Sequence, residues 1–173
     1  LFFFFFDFDL GAGTSGVGLE VHCVRVGIHT HRTDDFNDLF HRVWLEHIEG
    51  PLETHAQGNP VLVEEYPPAL SALARIGQSG FAERFEVYWR GLELCNAFHE
   101  LNDPRENRKR FERDLAEKRH LGKDPVPLDE ELLRAFEAGM PPSGGIALGL
   151  ERLYMAVHGI ADIGQVAAFS AMV

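Results

Sequence analysis

The chain has 173 residues, 45% hydrophobic and 25% charged. That is the balance of an ordinary soluble globular domain, and it excludes collagen-like, disordered and disulfide-scaffold classes. No apolar run reaches the ~18 residues of a bilayer-spanning helix. Sixteen Lys+Arg against 27 Asp+Glu leave a formal charge of −11, which repels phosphate backbones and argues against non-specific nucleic-acid binding.

The first residue is Leu1, not Met, which suggests a fragment or a processed product. Five phenylalanines follow it, with neither the basic segment nor the small-residue cleavage site of a secretory signal, so a buried strand or a ragged start is expected. Gly11-Ala-Gly13-Thr-Ser-Gly16 fits the dinucleotide pattern G-x-G-x-x-G, which works only where the glycines open a helix. Val21, Val24 and Val26 favour strand or irregular chain there, so a flexible turn is expected; NADH binding lost on Gly13→Val would support the nucleotide reading instead. His22, Cys23, His29 and His31 match no zinc spacing and read as unliganded side chains. The two cysteines, Cys23 and Cys95, are too few for a disulfide framework and suit a reducing cytoplasm. Residues 1–33 are thus read as an unassigned, irregular N-terminal segment.

Residues 34–49 carry Phe36, Leu39, Phe40, Val43, Trp44 and Ile48 at helical spacing, with Gly50-Pro51 as a stop and residues 52–59 as loop. Residues 60–66 form a short strand closed by Pro67-Pro68, and residues 69–76 a helical turn or two. In residues 82–94, Phe85, Val87 and Trp89 alternate with Arg84, Glu86, Tyr88 and Arg90, which predicts one strand with an apolar face and a polar face. Asp103-Pro104-Arg105-Glu106 opens a helix with an N-cap, a first-turn proline and a capping box, running to Leu121 before Gly122. This helix has seven Lys/Arg and five Asp/Glu but few apolar anchors, a solvated face. Residues 129–138 form a second helix with Leu132, Leu133 and Phe136 inward. A strand at Ile146-Ala147-Leu148 then leads through Gly149 into a helix over residues 150–157.

Glu93 and Glu100 lie on apolar chain, where carboxylates are costly unless a cation or a substrate ammonium meets them. Seven residues along an unbroken strand would put them on opposite faces, roughly 23 Å apart, so a bulge is expected at Cys95-Asn96-Ala97. Taken alone, two glutamates on a sheet are more often surface residues. Arg152, just after the glycines of residues 144–149, can stack on an aromatic base or fork onto phosphate; a surface Arg–Glu pair is the plain alternative.

Gly-Ile-Ala-Leu-Gly-Leu-Glu-Arg-Leu (145–153) resembles motif 3 of class II aminoacyl-tRNA synthetases. Residues 91–103, GLELCNAFHELND, resemble the segment shared by lysine–tRNA ligases and their short paralogues, the elongation factor P lysine ligases (β-lysyltransferases). ERFEVY (83–88), YPPALSALA (66–74) and GMPP (139–142) fit the same family in the same order. The likeness covers residues 34–173, read as the C-terminal part of a catalytic domain with motif 3 at 145–155. Ala147 in place of the tRNA ligases' usual glycine, His99 in place of their serine, and no room for an anticodon-binding barrel favour the paralogue. A lysine–tRNA ligase fragment and a non-catalytic nucleotide- or amino-acid-binding module remain the alternatives.

The resemblance implies an α+β fold, an antiparallel sheet flanked by helices. It also implies activation of lysine or β-lysine by ATP as an acyl-adenylate, then transfer to a lysine of elongation factor P. Glu93 and Leu94 would sit at the ATP site, with Glu93 reaching the phosphates through Mg²⁺. Glu100 would face the substrate's amino groups and share in metal binding, so the metal ligands would be Glu93 and Glu100. Asn96, Phe98 and Ala147 would shape the amino-acid pocket, Gly149 would pack against the nucleotide, and Arg152 would stack on adenine and reach the triphosphate. Glu93, Glu100 and Arg152 would thus be the catalytic residues. Motifs 1 and 2, the dimer interface and the α-phosphate clamp of the family, are not in this sequence. Little adenylation by the chain alone and no family-type homodimer are therefore expected, and the chain's acidity, with no room for an anticodon-binding barrel, argues against a tRNA partner.

Overall fold

The structure, a computed structural model, describes residues 10–11, 15–124 and 126–169. The phenylalanine run and Gly13 lie outside the described residues.

The described part is α+β. Four strands, β1 (Val61–Tyr66), β2 (Ala82–Trp89), β3 (Leu92–His99) and β4 (Gly144–Leu148), form one antiparallel sheet in sequential order, with helices on either side in sequence.

Three sequence expectations give way. Residues Gly16–Val26 form a helix, α1, not strand or irregular chain. The valines cost it only a few tenths of a kcal/mol each. Ser15 caps the first turn by accepting from Gly18 N, left-handed Gly27 closes the last, and Leu19, His22 and Cys23 are buried along one face. Gly16 does therefore open a helix, but the Ser15 hydroxyl already occupies a first-turn donor.

Second, Gly50-Pro51 does not end the next helix. Phe36–Val43 (α2) passes through a π-helical turn, Trp44–Ile48, into α3, Glu49–Ala56. The π turn resets the hydrogen-bond register, so Pro51 falls in the first turn of α3, where a missing N–H is tolerated. Leu52, read as loop, is buried.

Third, residues 82–94 are not one strand but two. Arg90 (φ 52°) and Gly91 (φ 72°) form the two-residue turn of a β2–β3 hairpin, flanked by the pair Trp89 and Leu92. Both central residues need positive φ to match the strand twist. The buried side is also the reverse of the expectation: Ala82, Glu86 and Tyr88 are buried, whereas Phe85, Val87 and Trp89 are only half-buried.

The core explains the reversal. Trp44 meets Tyr88 with ring centroids 5.3 Å apart, and Phe40 meets Tyr66 at 6.4 Å. The α2–α3 segment thus covers the side of β1 and β2 that carries Val63, Tyr66 and Tyr88. Each large apolar side chain so buried contributes ~1.5–3 kcal/mol.

Asp103 caps α4 (Pro104–His120) as expected, accepting from the amides of Arg105 and Glu106. Although most of α4 is solvated, Arg110 is buried and donates to the carbonyls of Ala72 (2.8 Å) and Ala74 (2.7 Å). α5 (Glu130–Ala138) buries Leu133, while Leu132, expected inward, is 43% exposed. α6 (Leu150–His158) buries Met155 and Ala156 and contacts β3. Among the described residues no helix is long and apolar enough to cross a membrane.

Candidate active site on the sheet

Alternation along β2, β3 and β4 decides which side chains share a face, and one irregularity sets the outcome. Val87 pairs with Cys95, but Tyr88 pairs with Glu93, so Leu94 is an extra residue on β3. The bulge comes earlier than Cys95-Asn96-Ala97, where the sequence reading put it. It still does what the spacing demanded. It turns Glu93 onto the face that carries Asn96 and Phe98, where unbroken alternation would have put it on the other. Glu100 joins the same face: a Cβ added to Gly145, which pairs with Phe98, would fall within contact of the Glu100 carboxylate.

Successive rows cross the sheet on that face. Val61, Tyr88 and Glu93 form one row, and Val63, Glu86, Asn96 and Ala147 the next. Arg84, Phe98 and Gly145 form a third. α6 adds Arg152, whose Nη1 donates to the Glu93 carbonyl (3.1 Å). The Gly149 amide donates to the Leu94 carbonyl (2.9 Å), fixing the start of α6 against the bulge. Glu93, Leu94, Gly149 and Arg152 are therefore one cluster. Asn96, Phe98, Ala147 and Glu100 lie further along the same face.

Electrostatics favour a cation at Glu93. Burial pushes its carboxyl above the usual range, and the neighbouring Glu86 carboxylate pushes it further, against the pull of Arg152 and Arg84. Burial, the larger cause, only disfavours the bare charge; the Glu86 part is a negative potential that a metal ion or an ammonium would relieve. Among the described residues no three His, Cys, Asp or Glu side chains are grouped to hold a metal. A hard divalent ion at this face would thus draw on these carboxylates together with oxygens of a bound ligand, and the carboxylate donors fit that use.

The sequence reading missed the centre of the face. Glu86, 8% exposed, accepts from the hydroxyls of Tyr66 (2.5 Å) and Tyr88 (2.7 Å), from Asn96 Nδ2 (3.1 Å) and from the Arg84 guanidinium. Burial, reinforced by the Glu86 carboxylate, raises both phenols well above their ordinary pKa and keeps them protonated. Arg84 lies over the Tyr66 ring, 4.2 Å from its centroid, and 5.4 Å from that of Phe98. The signal was available: Arg84, Glu86 and Tyr88, at every second position, put opposite charges and a phenol on one strand face. A count of apolar residues alone read that face only as polar.

A wide groove of about 760 Å³ opens at the far ends of β2 and β3, lined by Arg75, Glu83, Phe85 and His99 among others. There Arg75 and His99 both engage Glu83, whose carboxyl is held below its usual range chiefly by the Arg75 hydrogen bonds. Of the residues the sequence reading assigned to the site, only Phe98 lines this groove.

Several curated proteins are similar in sequence to this chain. An elongation factor P–(R)-β-lysine ligase of Vibrio parahaemolyticus is 45% identical over 115 residues, 65% of this chain and 36% of that protein. Ligases of the same name from Edwardsiella ictaluri (47% over 113 residues; 64% and 35%) and Klebsiella pneumoniae (43% over 122 residues; 69% and 38%) are similar. The chain thus aligns with little more than a third of the length of these curated relatives. The family match itself starts before residue 34, within α1, and takes in residues 20–173; the chain belongs to the class II tRNA synthetases (D, K and N).

Proposed function

We propose that this chain forms the nucleotide- and amino-acid-binding part of an ATP-dependent ligase that activates lysine or β-lysine and transfers it to a lysine side chain of elongation factor P. The observation that carries the reading is the bulged face, on which Glu93, Asn96, Phe98 and Glu100 share one side of β3 with Arg152 anchored at Glu93.

In the reaction proposed, the substrate carboxylate attacks the α-phosphorus of ATP, pyrophosphate leaves, and an acyl-adenylate forms. The acceptor lysine amine then attacks the acyl carbon, and AMP leaves. Such chemistry needs positioning and charge stabilisation and no protein nucleophile. Arg152, exposed and hydrogen-bonded to the Glu93 carbonyl, would turn to lie on adenine and reach the triphosphate. Gly149 would let the nucleotide approach the backbone closely. Glu100, Asn96, Phe98 and Ala147 would receive the amino acid, with Glu100 opposite its ammonium groups. Mg²⁺, held by Glu93 and Glu100 with phosphate oxygens, would neutralise charge at the α-phosphate. Elongation factor P and lysine or β-lysine are the partners of this reading, tRNA is not, and the compartment is the cytoplasm.

Titration of the chain with ATP–Mg²⁺ and with L-lysine or (R)-β-lysine tests it: both classes should bind, and binding of neither would overturn the proposal. Pyrophosphate exchange separates an enzyme from a binding module. Without the motif 2 phosphate clamp the chain alone should show little or no exchange.

A further inference from the structure

We propose that Arg84 is the positioning residue of the amino-acid pocket, ordering Asn96 and Phe98 without touching the ligand; this rests on the functional reading above. Two routes lead from one guanidinium to the two pocket residues.

The first runs through Glu86. A carboxylate paired with a guanidinium only accepts hydrogen bonds, so the Asn96 amide must turn its nitrogen towards Glu86. Arg84 Nη2 and Asn96 Nδ2 meet the same oxygen, Oε1, while the two tyrosine hydroxyls take Oε2. With its nitrogen so held, Asn96 presents Oδ1 away from Glu86, and that buried oxygen has no hydrogen-bond partner among the described residues. A buried acceptor without a partner is costly, and a ligand ammonium is the donor that would satisfy it. Ala147 stands beside Asn96 in the same row.

The second route is direct. Arg84 is itself nine-tenths buried, and Nη1 donates to the Leu70 carbonyl (2.7 Å). Its plane is therefore pinned at both terminal nitrogens between Tyr66 and Phe98. A fixed guanidinium plane beside Phe98 limits the ring's orientations. Neither route leads to Leu94, Gly149 or Arg152, the nucleotide side of the face.

Arg84→Lys tests the inference because it keeps the charge opposite Glu86 and removes the planar fork. In the whole chain it should weaken L-lysine binding about tenfold, leave ATP binding within about twofold, and shift the Asn96 side-chain amide resonances. A merely structural role would weaken both ligands in parallel, and that result would overturn the inference, as would an unchanged Asn96 amide or unchanged lysine affinity. The wild-type chain supplies a check that needs no variant: the Asn96 amide protons should exchange slowly with solvent, and rapid exchange refutes the Glu86 route. Should the wild-type chain bind no lysine, the functional reading fails and this inference falls with it. A wild-type chain that binds lysine, with an Arg84→Lys variant that binds it equally well or loses lysine and ATP in parallel, overturns only the latter.

Discussion

Gly145→Ala separates the stability of this sheet from the use of its face. An added Cβ would lie 2.3 Å from Glu100 Oε1 and 3.4 Å from its Cδ, whereas non-bonded heavy atoms settle at about 3.5–4.0 Å. The shortfall of more than about 1 Å falls on the end of a flexible side chain, so Glu100 swings aside and the backbone stays. The residue has no left-handed backbone requirement, and alanine restricts the unfolded chain more than glycine. Folding stability should thus be unchanged or rise by ~0.4–1 kcal/mol. Ligand binding should move the other way. A hydrogen bond to a charged group is worth ~1.5–3 kcal/mol, so losing the Glu100–ammonium contact should weaken L-lysine binding roughly 10- to 100-fold. Urea denaturation reads the first quantity and calorimetric titration the second. Wild-type lysine affinity in the variant would refute the placement of Glu100 at the ammonium.

Glu93 carries a pH signature. Its folded pKa is raised, so the stability it contributes is complete below the unfolded carboxylate range and is lost as pH rises through the folded value. Glu93→Gln should match wild type below about pH 4 and exceed it in urea midpoint at about pH 8; equal midpoints across that range would contradict the burial argument. Asp103→Ala removes the oxygen that accepts from Arg105 N (2.8 Å) and Glu106 N (3.2 Å). It should cost ~1 kcal/mol, about 2–4 °C in melting temperature for a chain of this size.

What could be read from the sequence was local chemistry with one clear cause. The short strand before Pro67-Pro68, the Asp103-Pro104 helix start and the β4–Gly149–α6 turn need only their own residues, and they form as expected. Where a balance of small terms decides, reading failed. Three valines outvoted the two caps of α1, and Gly50-Pro51 looked final because a π turn leaves little trace in sequence. Arg90-Gly91 carried the hairpin signal in its glycine, hidden inside an otherwise continuous alternation. The site residues Glu93, Asn96, Phe98 and Glu100 were legible through the resemblance, and their common face through the demand for a bulge. The Arg84–Glu86 pair was not, because charges that neutralise each other are counted as polar by any scale that scores residues singly.

The extra residue at Leu94 has a consequence for how this face can vary. Substitution at that position changes a side chain; deletion changes the backbone. Removing one residue there would restore plain alternation and leave the Arg90-Gly91 hairpin, its flanking pair and the face of Glu93 in place, because Glu93 would then stand two residues before Asn96. The chain would still close its ladder. The extra residue thus matters for what its backbone holds: the Leu94 carbonyl receives the Gly149 amide, so its loss would remove that anchor at the start of α6 while the acidic face stays assembled.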